Sequence, residues 1–234
     1  IEGAVAEPTP SVRFMLATAL YEAGEAEAAE PLYTAVVEAQ PGNGGARLAL
    51  AETLLSTRRY AEAAAAAAAV ADDDAFAVPA ARSELFARVL AGEGAEGAAG
   101  RAARRGLPAA ELDLFAAWAA AAAYPALDPT IVDALATMLE ALLRVEEFEA
   151  FEALLPALAA TGLPARRRHS ILAEIYLRRG ILESAADEWA TSCEEQGPDA
   201  EALGGLARVA AARGLTEDAE LFEKGAEEIA SSSI

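Results

Sequence analysis

Cysteine, histidine and lysine occur once each in the 234 residues, as Cys193, His169 and Lys224. A single cysteine excludes an intramolecular disulfide and any multi-cysteine zinc site, and it fits a reduced intracellular setting. With lysine so scarce, the other basic residues are arginine, a bias that reads as codon usage in a GC-rich genome and carries no chemistry. Aromatic residues make up only 6% of the chain and β-branched runs are missing, which argues against a strand-built core. No stretch reaches the ~20 apolar residues of a membrane span; "LFAAWAAAAAYPAL" is too short and follows Glu111 and Asp113 closely. Positive charge is the largest deficit. Eighteen Lys and Arg face 38 Asp and Glu, and the resulting charge of −20 repels phosphate backbones and anionic lipid surfaces. Nucleic acid and membranes are therefore not expected partners. The plain reading of the acids is that they keep an alanine-rich helical protein in solution; the alternative is a surface for a basic ligand. The opening "IEGAVAEPTPS" has no basic region followed by an apolar one, so it does not read as a signal peptide. It also lacks an initiator Met, which fits a processed protein or a piece of a larger one. The expected location is cytoplasmic, with any targeting segment lying upstream.

What the chain has in excess is alanine. It lifts the apolar share to 54%, and it is the strongest helix former. The alanines are spaced, not scattered. Shifting "RFMLATALYEAGEAEAAEPLYTAVVEAQPGN" by one repeat length of ~34 residues lays Leu16, Ala17, Leu20, Ala29 and Val36 on Leu50, Ala51, Leu54, Ala63 and Val70. In the C-terminal third the same shift lays Leu172, Ala173, Tyr176, Gly180 and Ala185 on Leu206, Ala207, Ala210, Gly214 and Ala219. Small residues at these intervals mark places where two helices cross closely, and a larger side chain would push them apart. Gly24, Gly180 and Gly214 read as helix ends in the left-handed conformation.

These positions resemble the tetratricopeptide repeat, whose pattern runs W-x₂-L-G-x₂-Y, then A-x₃-F, then P. Pro41 takes the closing proline position and Pro198 lies one beyond it. The first Trp is replaced by Arg13, Arg47, His169 and Leu203 in the four clear copies. The resemblance implies an all-α fold, a right-handed α-solenoid of antiparallel helix hairpins. Within a single solenoid domain, residues 1–10 form an N-terminal extension, 11–75 two repeats, 76–164 degenerate repeats and 165–230 two further repeats. The middle departs from the period. "ARSELFARVLAGEGAEGAAGRAARRG" reads as a shortened pair with Leu85 and Ala98 in place. "TIVDALATMLEALLRVEEFEAFEALLPALAATG" reads as a pair with Leu139 and Phe148. Between them an extra helix without an obvious partner is expected over 109–124, bounded by Pro108 and Pro125. "AEAAAAAAAVADDD" reads as a second helix followed by a loop holding Asp72 to Asp74, not as disorder.

No motif points to catalysis, a metal or a cofactor. There is no phosphate loop, GxSxG elbow or HExxH helix. His169 takes a packing slot, and Glu194 and Glu195 beside Cys193 oppose a reactive thiolate. Carboxylate pairs such as those of "VEEFEAFE" read as solvated helix faces. The functional reading is therefore a binding surface. First helices of stacked tetratricopeptide units line the concave groove, and residues three, four and seven apart share a helical face. That face carries Arg167, Ser170, Ile171, Glu174 and Arg178 in the fifth repeat and Arg208 in the sixth. In the N-terminal repeats it carries Phe14, Met15, Thr18, Tyr21 and Glu52. One end is apolar and the other arginine-rich, suited to an extended peptide or partner protein with hydrophobic residues at one end and carboxylates at the other. The N-terminal repeats lack the family's chaperone-carboxylate clamp, since Met15, Thr18, Ala49 and Glu52 stand at its sites. The expected role is a protein-interaction scaffold without chemistry of its own. Two alternatives stay open: an accessory arm of a larger enzyme such as a glycosyltransferase or kinase, and a self-associating structural module, a homodimer in the simplest form.

Overall fold

The computed structural model describes residues 7–232; residues 1–6, part of the expected N-terminal extension, lie outside the described residues. Among the described residues the regular structure is helical throughout, with no strand. The chain divides into two compact units, 1–125 and 126–234. In the first are α1 (Pro10–Glu22), α2 (Ala26–Ala39), α3 (Gly44–Ser56), α4 (Tyr60–Ala68), α5 (Ala77–Leu90), α6 (Glu96–Arg104) and α7 (Ala109–Ala119). In the second, a 3₁₀ turn at Pro129–Ile131 leads into α8 (Val132–Arg144), α9 (Phe148–Leu154), α10 (Pro156–Ala160), α11 (Ala165–Arg178), α12 (Leu182–Gln196), α13 (Ala200–Ala212) and α14 (Thr216–Ser232).

Within each unit consecutive helices pair as hairpins, and each hairpin packs on the next, as in a tetratricopeptide-like solenoid. The crossings are where the alanines lie: Ala17, Ala29, Ala51, Ala63, Ala173 and Ala185 are all fully buried. Larger residues fill the space around them, with Phe14, Leu20 and Leu50 around Ala17, Ala29 and Tyr33, and Tyr176, Leu182 and Leu206 around Ala173, Ala185 and Trp189. Gly205 shows how tight one contact is. A Cβ added there would overlap the Trp189 indole, so the bulk of α12 fits against α13 only because that position has no side chain.

Helix ends follow one recipe. In α1 the Gly24 amide donates to the Tyr21 carbonyl and the Glu25 amide to the Leu20 carbonyl, with Gly24 at φ 85°. Gly180 and Gly214 repeat it at φ 72° and 75°. Arg58, Ala121 and Glu146 take the same left-handed position without being glycine, at φ 62°, 47° and 59°. Starts are capped by side chains in α1, α3 and α13, where Thr9, Asn43 and Asp199 accept from the amides of Val12, Ala46 and Ala202.

The middle of the sequence needs correction in two places. The extra helix runs from Ala109 only to Ala119, because Ala121 turns left-handed and the amides of Ala121 and Ala122 close the helix on Trp118 and Ala117. It is also not without a partner: α7 packs on α5 and α6, with Trp118 against Phe86. In the last degenerate pair Leu139 is buried as expected, but Phe148 is exposed and Phe151 takes the core position. Pro156 then splits the second helix of that pair into α9 and α10. Asp72 to Asp74 lie in the α4–α5 loop.

The third hairpin holds charges in its interior. Glu84 of α5 is buried and receives Arg88 Nε at 3.1 Å and Arg101 through both Nε, at 3.1 Å, and Nη2. Arg105 Nη1 lies 3.8 Å from the same carboxylate. Arg105 is itself buried, and donates to the carbonyls of Ala67, Ala68 and Val70 and, at 2.7 Å, to Asp72. It thereby closes the C-terminus of α4, which has no capping glycine. This bond holds the Asp72 carboxyl below the usual carboxylate range. A second inward pair joins Arg82 to the buried Glu111 at 2.6 and 2.8 Å, tying α5 to α7.

Candidate binding face

The eight sequence-derived site residues divide between the units. In unit 1, Phe14 and Tyr21 are partly buried around the Ala17–Ala29–Tyr33 core, and Glu52 is exposed. Phe14 meets Tyr33 edge-on, with ring centroids 5.5 Å apart, and the Thr18 hydroxyl lies 3.0 Å from the Tyr33 hydroxyl while donating to the Phe14 carbonyl. These aromatics spend much of their surface holding the first hairpin together.

In unit 2 the first helices α8, α11 and α13 are joined by ion pairs that cross from one to the next. Arg167 of α11 donates to Glu201 of α13 at 3.0 Å. Arg208 of α13 grips Glu174 of α11 with two nitrogens, one at 3.2 Å. Arg178 of α11 reaches Glu140 of α8 at 2.8 Å. Ser170 donates its hydroxyl to the same Glu201 carboxylate. The structure thus brings together Arg167, Ser170, Glu174, Arg178 and Arg208, but as a ladder of internal pairs and not as a row of free cations. The arginine side chains remain 59%, 52% and 51% exposed, in the order Arg167, Arg178, Arg208. Arg208 also stacks over Trp189, 5.2 Å from the ring centroid.

Glu140 and Glu201 complete this face, which Arg208 joins to the buried Trp189 beneath it, and none of the three is among the candidate site residues of the sequence. Two pairs had a signal: Arg167 with Glu201 and Glu174 with Arg208 are each separated by 34 residues, one repeat. Arg178 and Glu140 are 38 apart, a spacing that the irregular middle hides.

The groups with reactive potential lie elsewhere. His169 Nδ1 is 2.6 Å from the Glu188 carboxylate and Nε2 is 3.7 Å from Glu195, so the ring ties α11 to α12. Burial pushes the Cys193 thiol up, with Arg166 pulling weakly the other way. Among the described residues no group of three His, Cys, Asp or Glu could hold a metal, and no helix is long and apolar enough to cross a membrane.

Residues 20–85 match the family model described as tetratricopeptide repeat, a window from the end of α1 into α5. Over that window the chain carries tetratricopeptide repeat sequence. A search of curated proteins returned no match. Such repeats serve in general as protein-interaction scaffolds and not as catalytic modules. The matched window contains α2, α3 and α4, and the α11–α14 hairpins repeat the same spacing outside it.

Proposed function

We infer that this tetratricopeptide-repeat protein binds a peptide or partner protein on the face formed by the first helices of unit 2, and that it carries no chemistry of its own. The observation behind this reading is the ladder Arg178–Glu140, Arg208–Glu174 and Arg167–Glu201. Exposed ion pairs of this kind are each worth only ~0–1 kcal/mol, so a ligand carboxylate can take an arginine from its glutamate at little cost. A planar guanidinium then offers two parallel donors to the incoming group. The released glutamates remain in place and favour a segment that brings basic as well as acidic side chains. In unit 1, the surface that Phe14 and Tyr21 leave open is apolar, and Glu52 is exposed on the neighbouring first helix.

Affinity capture with the intact chain beside an Arg167→Glu, Arg178→Glu double variant tests the reading. Helix content should be equal by circular dichroism, and the partner should stay only on the intact chain. In a Trp118→Phe background, the captured segment should also shift Trp189 emission, since Arg208 lies over that ring. Equal retention by both chains, with Trp189 emission unchanged, would remove the ladder from the binding site.

A further inference from the structure

The buried charges of the third hairpin also fix a distance. Arg101 of α6 grips Glu84 of α5, and Arg82 of α5 grips Glu111 of α7 at 2.6 and 2.8 Å, so α6 and α7 are each clamped to the same helix. Both carboxylates are buried, which shields the clamps from water. Between the clamped helices stand small residues. Ala95 and Ala99 of α6 and Ala116 and Ala119 of α7, with Gly94 at the entry to α6, line an open cleft of about 240 Å³. Its floor is Leu85 and Phe115, both fully buried. At Ala17, Ala63 and Ala185 an alanine between helices is sealed in a crossing, whereas Ala116 and Ala119 are exposed. The helices cannot move together to close the gap without pulling an arginine off a buried carboxylate.

The lining is apolar apart from one group. Glu96, in the first turn of α6, is the only charged side chain among the described residues that line the cleft, and it is exposed. It answers the positive end of α6. On the exposed side of the cleft α7 ends with Ala119 and Ala120 and has no basic residue in its last turn, so the negative end of that helix has no cation of its own. A carboxylate and a helix C-terminus beside an apolar floor, in a chain of charge −20, repel an anionic amphiphile and favour a cation.

We propose that the cleft between α6 and α7 is a binding site for a small apolar amine, its aromatic or branched aliphatic body against Leu85 and Phe115 and its ammonium group at Glu96 and the end of α7. The size is sufficient, since an apolar cavity of about 150 Å³ holds benzene. The clamps form the site in advance, so binding orders little of the chain. The cleft lies wholly within unit 1 and stands or falls without the ladder of unit 2.

The test is titration of the full chain with three probes of one shape: 2-phenylethylamine, the neutral 2-phenylethanol and the anionic 3-phenylpropanoate. Binding is followed by ligand-detected NMR and, in a Trp189→Phe background, by Trp118 emission, since Phe115 packs against Trp118. The amine should bind with a Kd of about 0.1–1 mM, a range suited to a ligand of about nine non-hydrogen atoms. The alcohol should bind about threefold more weakly, and the carboxylate more weakly still. Glu96→Gln should weaken the amine about threefold and leave the alcohol unchanged. Ala99→Leu and Ala116→Leu should fill the cleft and weaken the amine by about tenfold or more, with parental helix content and a Tm that is equal or higher. No binding of the amine at about 10 mM would overturn the proposal. Equal affinity for the amine and the carboxylate, or unchanged binding in both leucine variants, would overturn it as well.

Discussion

Replacing Glu84 with Gln would show how far one buried carboxylate organises the third hairpin. Gln keeps the volume but removes the charge and one acceptor oxygen, while Arg88, Arg101 and Arg105 still point inward. Breaking a buried ion pair by removing one partner costs ~3–5 kcal/mol. This case belongs near the lower end. The Arg88 and Arg101 side chains are 27% and 29% exposed and can regain water, and Arg105 keeps Asp72 and three backbone carbonyls. A loss of about 3 kcal/mol lowers the Tm of a unit this size by roughly 10 °C. The reporter is at hand, since the chain has two tryptophans and Trp118 packs against Phe86 and Phe115 inside unit 1. In a Trp189→Phe background its fluorescence follows unit 1 alone, and Glu84→Gln should melt earlier with parental helix content at low temperature. A fall of less than about 2 °C would refute the reasoning. It would mean that the backbone carbonyls and Asp72 suffice for Arg105, and water for Arg88 and Arg101, without Glu84.

Three further outcomes can be checked with the same two fluorophores. Gly205→Ala pushes a methyl into the Trp189 indole and should cost ~1–3 kcal/mol, read as a lower urea midpoint of Trp189 emission in a Trp118→Phe background. Ala173→Leu overpacks a fully buried crossing of α11 and should cost a similar ~1–3 kcal/mol; a parental midpoint would count against the repeat register. The Asp72 carboxyl is depressed by Arg105, so its contribution is complete above the ordinary value of 3.8 and disappears as pH falls through the lower folded value. Asp72→Asn should therefore be less stable than the parent near neutral pH and converge with it in acid well below 3.8; a constant difference at all pH values would contradict this.

The helical hairpins were legible because their signal is local and periodic: Ala17, Ala51, Ala173 and Ala207 mark the crossings, and Gly24, Gly180 and Gly214 mark the ends. The same left-handed end is made by Arg58, Ala121 and Glu146, which have no compositional mark. For that reason the pattern extends the helix from 109 to 124, although it stops at Ala119. Phe148 and Phe151 lie three apart in an amphipathic run, and pattern alone does not say which of two neighbouring aromatics turns inward. The arginines of the candidate face were visible as a helical stripe, but their partners lie on the next helix. Only tertiary packing shows that a row of cations is a row of pairs. The Glu84 network was hidden for the same reason, since Arg101 and Arg105 come from a different helix or its end.

The one-repeat spacing of the ladder restricts how this array can change. Arg167 is answered by Glu201 and Glu174 by Arg208, so the α11–α12 hairpin and the α13–α14 hairpin carry opposite halves of two bonds. A tandem copy of the α11–α12 hairpin would set Arg167 beside another Arg167 and Glu174 beside another Glu174, like charge against like. The two hairpins are therefore a fixed sequence of non-interchangeable neighbours, and lengthening by simple duplication meets resistance at that junction.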